Sequence, residues 1–448
     1  MSVVQPLRIP AFRRLASSYT LNELGWSFGT VALAVLVFDR TGSALATTLL
    51  FLATTFVPAV LAPALTARLD RLPVRRALPG LYIAEAALFA ALVVAAERFW
   101  LPLVLVLALA DGAVAIAGRA LTRAAVAATL KPVGALGAGN KLLNVLFSAA
   151  YAIGPALAGA VVALAGVSAS LAVTAALFAL MALTLATART LPDAHARGDR
   201  SWWQHLRAGL AYVRGHGPVR RVLGAHAAAL SFAAAATPIE IVYVKQSLGA
   251  GAGAYGLLLG AWGAGTVLSS IGLTRARRLP AIRLIPMGAS AVGVGFLVMA
   301  VAPTLPIALA GCLLGGAGNG VYYVSVVQAL QERVDDDLQA RVMGLLESTT
   351  AAAYGAGFLA GGLLTHFADA RLAIAVAGAG ALASAATITA LLRGDRGLAA
   401  AQDAAPTADP EALAPLAEIT HLSVDTDVAA AGGSGAPVRL AAPAEPPR

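Results

Sequence analysis

Residues 44–76 read ALATTLLFLATTFVPAVLAPALTARLDRLPVRR. The first 24 of these, residues 44–67, carry no charge, and the next nine contain four arginines and one aspartate. A helix rises about 1.5 Å per residue, so about 20 apolar residues cross the bilayer core of about 30 Å. The stretch therefore predicts a membrane-spanning helix that is followed by a short charged loop at the membrane surface.

The rest of the 448-residue chain repeats this pattern. Hydrophobic residues make up 59% of the sequence and charged residues 12%, whereas a soluble domain is about 25% charged. A soluble globular protein is therefore excluded, and long runs without alternating polarity exclude a membrane β-barrel. We predict an all-α membrane protein with twelve transmembrane helices. The predicted spans are 15–37, 44–67, 77–96, 101–121, 142–164, 168–188, 222–244, 253–273, 284–302, 305–328, 342–364 and 372–392.

Lysine and arginine are distributed unevenly between the two sides of these spans. With the N-terminus inside, 28 of the 32 basic residues fall on the cytoplasmic side, as is typical of cytoplasmic loops. Only Arg40, Arg98, Lys245 and Arg371 lie on the other side. Both termini are therefore predicted to be cytoplasmic. The net charge of +9 then reflects topology and does not indicate a nucleic acid partner.

The two halves of the sequence share features at a nearly constant spacing. Asp39 precedes the second span as Lys245 precedes the eighth, and a cluster of arginines follows each of these two spans. Such repetition predicts two six-helix bundles that are parallel repeats. The predicted units are an N-terminal bundle at 1–189, a cytoplasmic linker with an amphipathic helix at 190–221, a C-terminal bundle at 222–394 and a disordered, acidic, Ala/Pro-rich cytoplasmic tail at 395–448.

The loop after the second span resembles a known motif. Asp70, Arg71 and Arg75 match the pattern Gly-x-x-x-Asp-Arg-x-Gly-Arg-Arg of the major facilitator superfamily. The resemblance implies that Asp70 docks on the cytoplasmic start of the eleventh span. A carboxylate that lies at a helix N-terminus and pairs with guanidinium groups forms a latch that can break and re-form. The alternative is that the arginines only hold the loop inside.

The fifth span carries a second motif. Gly154, Pro155 and Gly159 resemble the Gly-Pro-x-x-Gly-Gly pattern of exporting antiporters in that superfamily. Small residues let helices approach closely and proline loosens the backbone ladder, so this face is expected to pack against a moving partner and to shape a cavity. The alternative is ordinary small-residue packing. Residues 5 to 395 as a whole resemble the drug-proton antiporter branch that includes macrolide and enterobactin exporters, which implies that spans 1, 4, 7 and 10 line a central cavity.

Acidic residues inside the spans are candidates for chemistry. An ionised acid at the bilayer centre costs about 2.5 to 3.5 kcal/mol on insertion scales, so such groups face a wet cavity, pair, or bind a proton. Glu23 and Asp111 are expected at one depth in the cavity, where they would couple transport to a proton. The alternative for Glu23 is a structural hydrogen bond to Asn22 or Asn144.

The remaining polar groups in the spans have weaker assignments. Glu85 and Glu347 are expected to be structural, and Glu240 is either a periplasmic gate or interfacial. Asn319 lies in a glycine-rich stretch of span 10 and is either a substrate ligand or a contact between helices. His226 is expected at the membrane interface. The candidate cavity residues are therefore Glu23, Asp111, Asn22, Asn144, Glu240 and Asn319.

Enzymatic chemistry is not expected. Cys312 is the single cysteine, so there is no intrachain disulfide and no cysteine-based metal site. The six histidines lack the spacing of a metal site, and no phosphate-binding loop is present. We expect no metal and no cofactor besides a proton gradient. The first residues lack the pattern of a cleaved signal peptide, so the first span is expected to be retained.

These features predict a secondary active transporter that exports amphipathic small molecules, such as drugs, macrolides or siderophores, in exchange for protons by alternating access. An importer of the same fold, or a non-transporting sensor or scaffold, is the alternative. The expected partners are a small-molecule substrate, protons and the lipid bilayer, with no nucleic acid. The chain is expected to act as a monomer in a bacterial cytoplasmic (inner) membrane.

Overall fold

The computed structural model describes residues 4–61, 73–187, 211, 213–275, 281–332, 334 and 336–394. These residues form twelve long helices. The helix α2 contains a π-helical segment, and α7 ends in one. The helices are α1 (Pro10–Thr41), α2 (Ala44–Phe51, with the π-helix Leu52–Phe56 and a continuation to Leu61), α3 (Val74–Glu97), α4 (Leu101–Leu130), α5 (Leu136–Ala165), α6 (Val167–Ala186), α7 (Gly217–Val242, with the π-helix Tyr243–Ser247), α8 (Ala252–Arg275), α9 (Ala281–Val301), α10 (Leu305–Gln331), α11 (Asp336–Phe367) and α12 (Ala370–Gly394).

Each predicted span coincides with one of these helices. Ten of the helices are long and apolar enough to cross a membrane, and α8 and α11 occupy the positions of the eighth and eleventh predicted spans. The predicted fold class is confirmed. Several helices extend beyond the predicted apolar runs, because a helix continues past the hydrocarbon region until a capping or turn residue stops it. The clearest case is α4, which runs nine residues past the predicted end at 121.

Packing follows the same plan in both halves. In the first half, α1 packs on α5 and α6, and α3 packs on α4 and α6. In the second half, α7 packs on α11 and α12, and α9 packs on α10 and α12. Each helix pair of the second half has numbers six higher than those of the corresponding pair in the first half. This equivalence is what a parallel repeat of two six-helix bundles requires.

The halves meet through two helix pairs, α5 with α8 and α2 with α11. A Cβ atom on Gly159 of α5 would lie 2.8 Å from the Cα atom of Gly256 on α8. The two backbones are therefore in direct contact, which only glycine permits. Between α2 and α11, the rings of Phe51 and Phe358 pack with their centroids 5.7 Å apart. Each of the two contacts joins one bundle to the other.

These contacts lie toward one end of the molecule. We call the end where α1 begins the proximal end and the end where α1 terminates the distal end. The close glycine contacts between α5 and α8 run from Gly253 near the distal end to Gly263 near the middle. Closer to the proximal end, a Cβ atom on Gly272 of α8 or on Gly344 of α11 would find no described neighbour within 4 Å. The halves are thus joined distally.

The Gly159 contact generates a prediction about stability. Replacing Gly159 with alanine places a Cβ atom against the backbone of α8, and overpacking of this kind costs about 1–3 kcal/mol. We expect a lower midpoint for thermal unfolding of the purified protein in detergent.

Gly137 on the same helix provides a matched control, because a Cβ atom there would meet no described atom within 4 Å. The Gly137→Ala change should leave the midpoint unchanged or raise it, since alanine favours helix by roughly 0.5–1 kcal/mol. Equal midpoints for the two variants would contradict the proposed role of the contact.

Candidate functional site

A cavity with an empty volume of about 1100 Å³ lies between the two halves. Its wall is formed by α1, α2 and α5 from the first half and by α7, α8, α9, α10 and α11 from the second. Most of the large side chains in this wall are aromatic. They are Trp26, Phe51, Tyr151, Tyr255, Trp262, Phe296, Tyr354 and Phe358.

Glu240 on α7 is the only charged residue among those that line this cavity in the described part of the chain. The side chain is 6% exposed, and no described basic residue forms an ion pair with it. The carboxylate interacts electrostatically with Tyr151, Tyr255 and Cys312. The hydroxyl of Tyr255 is buried and has no hydrogen-bond partner among the described residues. An acidic side chain therefore lies in an aromatic environment without a described basic residue beside it.

Asn319 contributes an amide to the same cavity from α10. The glycines around it allow close packing. A Cβ atom on Gly315 would lie 2.7 Å from the ring of Trp262, and one on Gly318 would lie 2.6 Å from the carbonyl oxygen of Gly288. These glycines let α8 and α9 approach α10.

A second pocket, with an empty volume of about 720 Å³, lies inside the first half and reaches Asn22 of α1. Its charged side chains are Glu85 of α3 and Asp111 and Arg119 of α4. The three groups interact electrostatically with one another. This polar cluster is distinct from Glu240, which belongs to the other half.

Contrary to the prediction from the sequence, Asp111 does not face the central cavity. Of the four helices expected to line the central cavity, α1, α7 and α10 do so, but no residue of α4 is part of its wall. The reason is that α2 covers α4. A Cβ atom on Gly112 would lie 2.7 Å from the ring of Pro58 and even closer to the carbonyl oxygen of Thr54. Asp111 therefore faces the second pocket, and its carboxylate partner there is Glu85, not Glu23.

Glu23 also lies outside the wall of the central cavity. Ser27, one helical turn further along α1, lines the cavity and donates a hydrogen bond to the backbone oxygen of Glu23 at 3.0 Å. Glu23 is 6% exposed and interacts electrostatically with Tyr82 of α3. Asn144 is likewise 6% exposed and lies on α5, which packs against α1. Both residues belong to the interior of the first bundle.

The second half contains a polar network around His226, a residue that is expected from the sequence at the membrane interface. His226 on α7 is 1% exposed, and its Nδ1 and Nε2 atoms lie 3.2 Å from the Tyr322 hydroxyl and 3.0 Å from the Thr350 hydroxyl. Nearby, the Tyr323 hydroxyl donates to Glu347 at 3.3 Å. His226 is thus buried in the bundle, and the expectation of an interfacial histidine is wrong. Both of its ring nitrogens have partners.

The repeat in the sequence is a signal for this network. Glu23 and His226 are 203 residues apart, as are Asn144 and Glu347. The same helix positions therefore carry polar groups in both halves. No comparable pattern in the sequence indicates that Glu85 lies beside Asp111, because their helices meet only in the fold.

The predicted motif residues occupy different surroundings. Gly154 packs against α1, where a Cβ atom would lie 2.9 Å from Cβ of Ser27, while Gly159 packs against α8. Pro155 lines the central cavity. Arg75 is exposed in the first turn of α3. Asp70, Arg71, most of the predicted linker helix and the predicted tail lie outside the described residues.

An ion pair joins the halves at the distal end. The ammonium group of Lys245, in the π-helix of α7, lies 2.8 Å from one carboxylate oxygen of Asp39 at the end of α1 and 3.0 Å from the other. Near this ion pair, one arginine in each half connects the ends of helices in that half. Arg40 donates to the backbone oxygen of Ala96, and Arg371 donates to the backbone oxygens of Ser247, Ala300 and Ala302.

Comparison with known proteins gives a family and a fold. The family model described as "Transmembrane secretion effector" matches residues 1–417. No curated protein matches the chain. Among solved structures, the nucleoside transporter NupG is similar with a TM-score of 0.70 at 14% identity, over 86% of this chain and 99% of that one. A bacterial homologue of the iron transporter ferroportin, in an inward-facing state, is similar with a TM-score of 0.67 at 16% identity, over 86% and 98%.

The distal ion pair leads to a second prediction. Asp39 and Lys245 are partly exposed, and such pairs contribute about 0–1 kcal/mol. Replacing Asp39 with asparagine should shift the ratio of closed to open distal ends by up to about fivefold toward open. Spin labels at Leu164→Cys and Val301→Cys would report the distance between the halves. The native Cys312 is buried and should therefore not take up the label.

The charge-swapped variant, Asp39→Lys with Lys245→Asp, is the control. It should restore the distance distribution of the unsubstituted chain. High salt should weaken the ion pair in the unsubstituted chain and in the charge-swapped variant. An unchanged distribution in Asp39→Asn at low salt would show that the pair does not hold the distal end closed.

Proposed function

The chain belongs to the transmembrane secretion effector family of the major facilitator superfamily and is a multi-pass membrane transporter. From this premise we propose that it exports amphipathic cations in exchange for protons. The observation that carries the proposal is the aromatic cavity between the halves, in which Glu240 is the only charged lining residue of the described chain. The family name, which refers to secretion, supports export over import.

The composition of the cavity supports a cationic, lipophilic substrate. Removing a carboxylate from water is costly unless a positive charge compensates it, and Glu240 has no described basic partner. A bound cation supplies that compensation. Aromatic faces such as those of Trp26 and Trp262 attract cations by about 0.5–2 kcal/mol each and also bury apolar groups. Asn319 adds a polar group that fixes orientation, as is typical of small-molecule pockets.

The arrangement of the halves supports alternating access. The bundles are joined at the distal end by the glycine contacts and by the pair Asp39–Lys245. With the proximal end on the cytoplasmic side, as the basic residues predict, the cavity would load from the cytoplasm. Breaking the distal contacts and closing the proximal end would release the substrate outside. We propose that Asp70, Arg71 and Arg75 form the proximal latch of the closed state.

Coupling to protons requires acids that change their charge during the cycle. In the first bundle, Asp111 of the second pocket is the proposed carrier, and Glu23, Asn22 and Asn144 are buried polar groups of the same bundle. Glu240 would bind the substrate cation in the central cavity. No cofactor other than the proton gradient is proposed, and the chain is proposed to act as a monomer.

The third prediction tests the role of Glu240. In proteoliposomes with an imposed pH gradient, the unsubstituted protein should accumulate tetraphenylphosphonium, a lipophilic cation without an ionisable group. The Glu240→Gln variant removes the counter-charge of a buried cation, a loss of 2 kcal/mol or more, so the affinity should fall by about 30-fold or more. Asn319→Ala should have a smaller effect.

Glu97→Gln is the matched control, because Glu97 is an exposed acid at the end of α3 and should transport normally. Undiminished binding in Glu240→Gln would refute the cation site. Accumulation only when the gradient has the opposite sign would identify an importer. Transport that is unchanged after deletion of residues 399–448 agrees with a transporter, whereas a full-length chain that moves no probe and loses its cellular function on that deletion would favour a sensor or scaffold that acts through the tail.

A further inference from the structure

The second pocket contains buried polar atoms that lack partners. Glu85 is 0% exposed, and neither of its carboxylate oxygens has a hydrogen-bond partner among the described residues. The same holds for Oδ1 of Asp111 and for Nε of Arg119. Buried polar groups in native proteins are nearly always bonded. Unbonded carboxylate oxygens that line a pocket of about 720 Å³ therefore indicate a ligand that the protein atoms alone do not supply.

The charges in this pocket indicate which ligand fits. Two carboxylates and one guanidinium leave one negative charge in excess, and the interior of a membrane protein disfavours an uncompensated charge. Among the described residues that line the pocket, Arg119 is the only basic one. The pocket wall contributes the hydroxyls of Thr54 and Thr55 from α2 and the ring of Phe178 from α6.

Two further titratable groups face the cluster from neighbouring elements. Tyr82 of α3 interacts electrostatically with Glu85 and is bonded to Thr122 at 3.1 Å. Glu23 of α1 interacts with Tyr82 and adds a further negative charge. Neither group supplies a positive charge. Glu85, Asp111 and Arg119, the charged groups that line the pocket, are therefore neutral together only when they hold one additional unit of positive charge, and a single proton supplies it.

We propose that Glu85 and Asp111 together form the site of the coupling proton, with Arg119 balancing the second carboxylate. The proton is taken from water and forms an O–H bond on one of the two carboxylates. The same bond breaks when the proton returns to water on the other side of the membrane. Glu85 is thus part of the coupling machinery. This proposal rests on the proposed function, which it deepens by separating the proton site from the substrate site.

The location of the cluster explains how the two sites communicate. The two pockets share five wall residues, Trp26, Thr30, Phe51, Thr54 and Thr55. Thr54 and Thr55 lie in the π-helix Leu52–Phe56 of α2, and π-helical turns are frequent at functional sites. Substrate in the central cavity contacts one side of this wall, and the carboxylate pair lies on the other. A shift of the wall when substrate binds changes the surroundings of the proton.

Infrared spectroscopy can test the proton site without any substrate. A pH-difference spectrum of the full-length protein in lipid detects protonated carboxylic acids. We expect Glu85→Gln and Asp111→Asn each to lose one such band, because the remaining carboxylate is then balanced by Arg119. The double variant Glu85→Gln with Arg119→Gln should regain it, since Asp111 is then unbalanced. Glu97→Gln should keep the spectrum of the unsubstituted chain.

Retention of the band in either single variant, or its absence from the double variant, would overturn the proposal. If one single variant does not fold, the other decides, because each is expected to release the same proton.

Transport measurements then separate the two proposals. Glu85→Gln and Asp111→Asn should still bind tetraphenylphosphonium but lose its accumulation by a pH gradient, whereas Glu240→Gln should lose binding and keep the infrared band. Gradient-driven accumulation in Glu85→Gln would overturn the coupling role. If the unsubstituted chain does not bind the probe, the proposed substrate class fails, while the infrared result still decides the proton site.

Discussion

Backbone-to-backbone contact through glycine joins the two bundles, and the position of the cavity depends on where that contact ends. Gly159 and Gly256 let α5 and α8 approach until their main chains touch. In a bilayer the lipid tails are as apolar as leucine, so helices associate through close packing and not through the hydrophobic effect. The contact runs along the distal half of α5 and α8, and the cavity extends from the middle of the helices up to this joined end. Trp26 lies at the middle of α1, whereas Tyr255 and Glu240 lie toward the distal ends of α8 and α7.

Much of the fold is predictable from the sequence because the membrane imposes simple rules. Uncharged runs of about 20 residues can only be spanning helices, and the basic residues mark their ends. The repeat of features near Asp39 and Lys245 predicts the two bundles. The same two residues then meet as an ion pair, which their equivalent positions do not reveal. The composition of a run indicates which side chains lie in the membrane. Which way each side chain faces depends on the rotation of its helix about its own axis, and packing against neighbouring helices determines that rotation.

The candidate site shows where that limit falls. Asp111 is recognisable as an unusual acid within a span, yet its direction depends on α2, which covers α4 at Gly112. Glu85 is assigned a structural role because the third helix of each half is expected at the periphery, and only the packed bundle brings it to Asp111. Glu240 is identified from the sequence, but its aromatic surroundings come from helices on both sides of the interface. The type of a residue can be read directly from the sequence, whereas the groups that surround a charged residue depend on how the helices pack.

The basic residues at the distal end act differently before and after folding. Lys245, Arg40 and Arg371 are among the four that oppose the predicted orientation, since basic residues are retained in cytoplasmic loops. In the folded chain, Lys245 pairs with Asp39, and the two arginines donate to backbone oxygens at helix ends. Neutral residues at these positions would make membrane insertion easier but would leave the helix ends untied. The chain therefore combines a small cost in membrane insertion with a distal end at which the helix ends are connected.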